Sequence, residues 1–194
     1  MAGLGPCDTD PSGTIIHMWE LYAMRSFVYL FFADFFLARG VTESQAGGLS
    51  GLVAFAVIGM GAPGSVLAGA WADRLGRERV TIWAMGVSGA CALGMGWLLH
   101  APLALVLFLA LVWGFAVVAD SAQFSAVVTE VAPEHAVGTA LTLQTPLGFL
   151  LTTVTLTAVP YLRDAGGWPL AFGVLALGPA AGIAAMRRLE HLGM

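Results

Sequence analysis

Four side chains within one apolar stretch near the N-terminus carry chemistry: His17, Glu20, Tyr22 and Arg25. On a helix, His17, Glu20, Met24 and Phe27 share one stripe, and Tyr22, Arg25 and Tyr29 share another. Glu20 and Arg25 are five residues apart, which separates them by about 140° around a helix axis. They need not pair with each other, yet both can border one wide cavity. A planar guanidinium fork suits an anionic group. A carboxyl whose pKa is raised by burial can take up and release a proton. Glu20, Tyr22 and Arg25 are therefore candidate ligands for a small substrate or for protons, while His17 and Asp34 fit the two ends of the same helix.

A second polar group, Asp120 and Gln123 with Ser121 and Ser125 beside them, sits further along the chain. Asp120 is either a second proton site or the partner of an arginine within the fold. Gln144, Thr145 and Pro146 form a third group, in which proline can free helix carbonyls for water or substrate. Cys7 and Cys91 fit no metal or disulfide spacing. The chain has no Walker loop, HExxH, CxxC or GxSxG. No metal, nucleotide or organic cofactor is expected, and no enzyme. A proton is the one coupling species the side chains suggest.

The elements that hold these groups are set by composition. Hydrophobic residues make up 58% of the chain and charged residues 10%, where a soluble domain carries about 25% charged residues. Mean hydropathy is +0.84. The solvent of such a surface is lipid. The formal net charge of −4 excludes the basic footprint of a nucleic-acid binder. A membrane-crossing helix needs about 20 mostly apolar residues. Six segments qualify, near 15–37, 46–70, 80–99, 102–127, 138–160 and 168–186, separated by short polar or turn-rich stretches that include Tyr161–Gly167. They are too long and too little alternating for barrel strands. Glycines at small-xxx-small spacing, Gly47/Gly51 and Gly86/Ala90/Gly94, are expected to let helices approach closely. Trp19, Trp71, Trp97 and Trp168 read as interfacial belt residues, and the threonines at 152, 153, 155 and 157 as bonding back to helix carbonyls.

Arginine distribution gives the orientation. Arg74, Arg77 and Arg79 between the second and third segments, with Arg187 and Arg188 in the tail, oppose Arg39 and Arg163. By the positive-inside rule both termini are cytoplasmic, in a multi-pass protein of the cell's inner (plasma) membrane. Residues 1–13, polar and without a basic leader region, read as a cytoplasmic segment rather than a signal peptide. Residues 14–188 form the bundle, and 189–194 a cytoplasmic tail.

The stretch Gly69–Arg79, GAWADRLGRER, resembles the loop signature of the major facilitator superfamily, G-x-x-x-D-R-x-G-R-[RK]-[RK]. Gly69, Asp73, Arg74, Gly76, Arg77 and Arg79 match, and Glu78 departs from the usual base. The motif lies between the second and third segments on the arginine-rich side, as in that family. HMWELYAMR in the first segment and the run from Gly114 to Thr145 resemble the C-terminal half of bacterial members, and the likeness extends from about Ile15 to the end. The resemblance implies an all-α integral membrane fold of six transmembrane helices, arranged as a 3+3 inverted repeat. It implies a cytoplasmic gating cluster around Asp73, and a central pathway lined by the first helix of each half. The expected function is secondary transport of a small solute, for which Arg25 suggests an anion, by alternating access. A full transporter has twelve helices, so the expected partner is an identical copy or a separate N-terminal half. The alternative is a truncated, non-transporting membrane protein, since Met1 followed directly by a linker-like segment is what a restart inside a longer gene looks like.

Overall fold

The structure, a computed structural model, describes residues 12–119 and 137–191. Among these residues every regular element is helical: α1 (Ser12–Leu37), α2 (Glu43–Gly59), α3 (Gly61–Leu75), α4 (Arg77–Met95) with a 3-10 turn at Gly96–Leu98, α5 (Leu103–Ala119), α6 (Val137–Leu175) and α7 (Leu177–His191). Three stretches, Glu43–Leu75, Arg79–Leu98 and Thr152–Ala184, are long and apolar enough to cross a membrane. Leu103–Ala119 is apolar but shorter, and its expected continuation to residue 127 lies outside the described residues.

The segment expected over 46–70 lies within Glu43–Leu75, where α2 runs into α3 through Met60 at φ −63 and ψ −17. One boundary differs from the sequence expectation. The stretch Tyr161–Gly167, expected as a connection, is helical up to its last residue. Gly167, at φ 71 and ψ −171, is the one non-helical position inside α6. No other residue type enters that φ region cheaply, so the break falls on the glycine rather than on Pro160 or Pro169, which stay within the helical path.

The core is aromatic. Phe31, Phe32 and Phe35 of α1 are fully buried with Trp113 of α5 and Phe172 of α6, and Phe31 meets both Trp168 and Phe172 edge-on or tilted at 5.4 and 5.5 Å between ring centroids. Rings in such geometry add about 0.5–1.5 kcal/mol per pair beyond area burial. α1 packs on α2, α6 and α7, while α5 packs on α3 and α4.

The closest helix approach falls elsewhere than the spacing predicts. A Cβ on Gly51 or Gly86 would meet nothing within 4 Å. A Cβ on Gly64 would instead collide with the Phe115 carbonyl, and one on Gly114 with the Val57 carbonyl. Backbone touches backbone along this seam between α2–α3 and α5. The reason is which face each glycine occupies: Gly51 and Gly86 are exposed, while Gly64 and Gly114 are buried.

Candidate functional site

α1 resolves its polar residues into two environments. Glu20 is 2% exposed. Its Oε1 accepts a hydrogen bond from Ser88 Oγ of α4 at 2.7 Å and another from Trp113 Nε1 of α5 at 2.8 Å. Met24, Phe27, Val28 and Phe31 continue this buried side. Tyr22 and Arg25 are half-buried, and Ser26 and Tyr29 are exposed. The Tyr22 ring lies 5.4 Å from that of Phe149 on α6. The Arg25 Nε is buried without a hydrogen-bond partner among the described residues. α1 therefore turns an aromatic and carboxyl face into the bundle and a Tyr–Arg–Ser–Tyr face outward. Glu20 lies on the buried stripe and Arg25 on the half-buried one.

The sequence did not mark Ser88 and Trp113 as partners of Glu20. Trp113 lies in the run LALVLFLALVWGFAVVA, where an indole reads as packing. Its N–H has to find an acceptor when buried, and that requirement is the signal that could have found it. Asp120 and Gln123 lie outside the described residues. Gln144 lies on α6, and its side chain also lies outside the described set. The outward face of α6 carries a shallow groove lined by Thr153, Val154, Thr157 and Ala158. The hydroxyls of Thr153 and Thr157 bond back to the carbonyls of Phe149 and Thr153 at 3.0 and 2.8 Å, which leaves the groove with little polar recognition to offer.

At the far end of α1, Asp34 Oδ2 accepts from Arg163 at 2.6 Å and from Trp168 Nε1 at 2.9 Å. Arg163 also stands 5.1 Å over the Trp168 ring. Trp168 is only 3% exposed and is no belt residue, because Asp34, Phe31 and Phe172 enclose it; Trp71 and Trp97 are exposed as expected. Arg39 donates to the carbonyls of Phe35 and Leu99, each at 2.9 Å, and to that of Ala101, and lies 3.4 Å over the Phe35 ring.

The signature stretch joins α3 to α4. Gly76 closes α3 at φ 91 and ψ 141, so the glycine of the motif sits at the one turn position that requires it. Gly69 is half-buried with open space where a side chain would stand. Asp73, Arg74 and Arg79 are exposed and Arg77 is half-buried. Among the described residues Asp73 has no ion-pair partner.

The sequence profile described as Major Facilitator Superfamily matches residues 19–191. A comparison with curated proteins finds no sequence match. Among solved structures, the proton:xylose symporter XylE bound to 6-bromo-6-deoxy-D-glucose is similar, with a TM-score of 0.77 over 92% of this chain at 15% identity. The match takes in 43% of the symporter's own length.

Proposed function

We propose, from the premise that the chain belongs to the Major Facilitator Superfamily, that it supplies one wall of a secondary transport pathway for a small solute. The wall is the outward stripe of α1, Tyr22, Arg25, Ser26 and Tyr29. A single observation carries this reading: Arg25, midway along α1, has a buried Nε with no hydrogen-bond partner among the described residues. A guanidinium nitrogen shut away from water without a partner at that depth is costly. The stripe is suited instead to a water-filled passage closed by a second six-helix bundle, either another copy or a separate N-terminal half. A guanidinium flanked by phenol and hydroxyl donors favours a solute with an anionic group.

In this reading the helices form a 3+3 inverted repeat in the inner membrane with both termini cytoplasmic. The Asp73 cluster latches the cytoplasmic helix ends in one state. Asp120, Gln123 and Gln144 are proposed to extend the pathway. The test has two stages. Native mass spectrometry of the nanodisc-embedded particle is expected to give a dimer or a complex with a second bundle. Uptake of small organic and inorganic anions by that assembly in liposomes should be lost in Arg25→Ala. A strict monomer that moves no solute would refute the proposal.

A further inference from the structure

The outer stripe of α1 differs from other parts of the bundle in how its polar groups are engaged. The hydroxyls of Ser50, Ser88, Thr153 and Thr157 each donate to an acceptor within the fold, and the guanidinium groups of Arg39 and Arg163 are bonded as well. Tyr22, Arg25, Ser26 and Tyr29 make no hydrogen bond among the described residues. Rings frame the guanidinium. Tyr22 lies three residues before Arg25 and Tyr29 four after, so the three share one side of the helix. The seven residues between the phenols set them about 10 Å apart along the axis. Toward α6, the Tyr22 ring meets that of Phe149 at 5.4 Å between centroids and 46° between planes. Phe149 is 49% exposed and Tyr29 40%, so both keep aromatic surface open to a further ring. Toward α2, Gly47 lies beneath Tyr29: a Cβ there would stand 3.4 Å from the phenol oxygen. The stripe is thus bounded by α6 at Tyr22 and by α2 at Tyr29, with Arg25 between them.

We propose that this stripe, together with Phe149, is a binding site for a small planar aromatic carboxylate. Its use in transport rests on the reading above; occupancy of the site does not. The Arg25 guanidinium donates to the carboxylate. The ring enters between the Tyr22–Phe149 pair and Tyr29, where offset or edge-on contacts separate an aromatic acid from an aliphatic acid of the same size and charge. A spacing of about 10 Å between the phenols holds one ring-sized solute. An inorganic anion would engage the guanidinium and leave three rings unused. A neutral sugar would find the aromatic faces, but its hydroxyl protons need acceptors, and the one charged group of the stripe only donates. An aromatic acid uses both features at once.

The test measures binding of labelled benzoate at neutral pH to the full 194-residue chain in nanodiscs, with empty nanodiscs as the blank. Benzoate should bind saturably, and cyclohexanecarboxylate, which matches it in size and charge but has no π face, should compete about tenfold more weakly. Glucose should not displace benzoate. These comparisons need no variant. Phe149→Leu and Tyr29→Leu should each narrow the gap between the two acids roughly threefold, and Arg25→Gln should weaken both acids by about tenfold or more, while circular dichroism keeps the same helicity. Absence of saturable benzoate binding, equal affinity for the two acids, displacement by glucose, or a gap unchanged in both ring variants would overturn the proposal. Benzoate bound with this preference by an assembly that moves no anion would defeat the transport reading and leave the site standing. Uptake of aliphatic and aromatic acids at equal rates and equal affinities would do the reverse.

Discussion

Glu20 and Arg25 stand on one helix and face different surroundings. The carboxyl is held inside by Ser88 and Trp113, and the Arg25 Nε is buried without a hydrogen-bond partner among the described residues. A helix whose carboxyl is bonded to its neighbours while a guanidinium nitrogen is not is anchored by the first and available through the second.

Removing the anchor should be more harmful than removing either donor. Glu20→Ala leaves a buried indole N–H and a buried hydroxyl without their acceptor, at about 1–3 kcal/mol for each unsatisfied group. Ser88→Ala removes one hydrogen bond and is expected to cost about 1–2 kcal/mol. Thermal unfolding in one detergent should therefore rank Glu20→Ala below Ser88→Ala; the reverse order would show that the carboxyl is a burden rather than a hub.

The Asp34–Arg163 pair joins residues on α1 and α6 at 2.6 Å, with side chains 28% and 38% exposed. Solvent at that level of exposure limits the coupling to about 1 kcal/mol or less in a double-mutant cycle of Asp34→Asn and Arg163→Gln. Trp168→Phe should weaken the same corner by a comparable amount, because the indole N–H shares Asp34 Oδ2 with the arginine. Coupling of several kcal/mol would mean that the corner is drier than its exposure indicates.

Glycine substitutions should separate by face and not by spacing. Gly64→Val and Gly114→Val force a side chain into a neighbouring backbone, with an expected loss of about 1–3 kcal/mol or more. Gly51→Ala and Gly86→Ala, which meet open space, should stay within about 0.5 kcal/mol of the unsubstituted chain. Chemical or thermal unfolding of the four variants checks the division.

Asp73→Asn should leave membrane insertion unchanged and slow the transport cycle of the assembled protein about tenfold, the equivalent of roughly 1.4 kcal/mol from one charge-assisted hydrogen bond. Uptake kinetics beside a protease-accessibility assay of topology make the measurement. Equal uptake by the variant would remove the latch role. The exposure of Asp73 without an ion-pair partner among the described residues is what makes insertion insensitive to the change.

Much of the fold was legible because apolar run length is itself the determinant of a membrane helix. The turn at Gly76 was legible too, since a positive φ leaves a recognisable residue type. What stayed hidden depended on which face of a helix meets which neighbour. Gly47/Gly51 and Gly86/Ala90/Gly94 have the spacing of a helix contact, yet Gly51 and Gly86 face outward, and the seam runs through Gly64 and Gly114. Trp168 has a belt residue's place in sequence but is drawn inward by Asp34, more than a hundred positions away. The two stripes of α1 were correctly separated by periodicity. That one would be sealed by an indole from α5 could not be read from either segment alone.

The seam between α2–α3 and α5 has a consequence for how the gene can vary. At Gly64 and Gly114 the obstacle to a side chain is the opposite helix's carbonyl, which every amino acid carries. No change of residue type across the seam can make room. Suppressors of a substitution at either glycine should therefore arise at distant positions that shift a whole helix, and not at Phe115 or Val57.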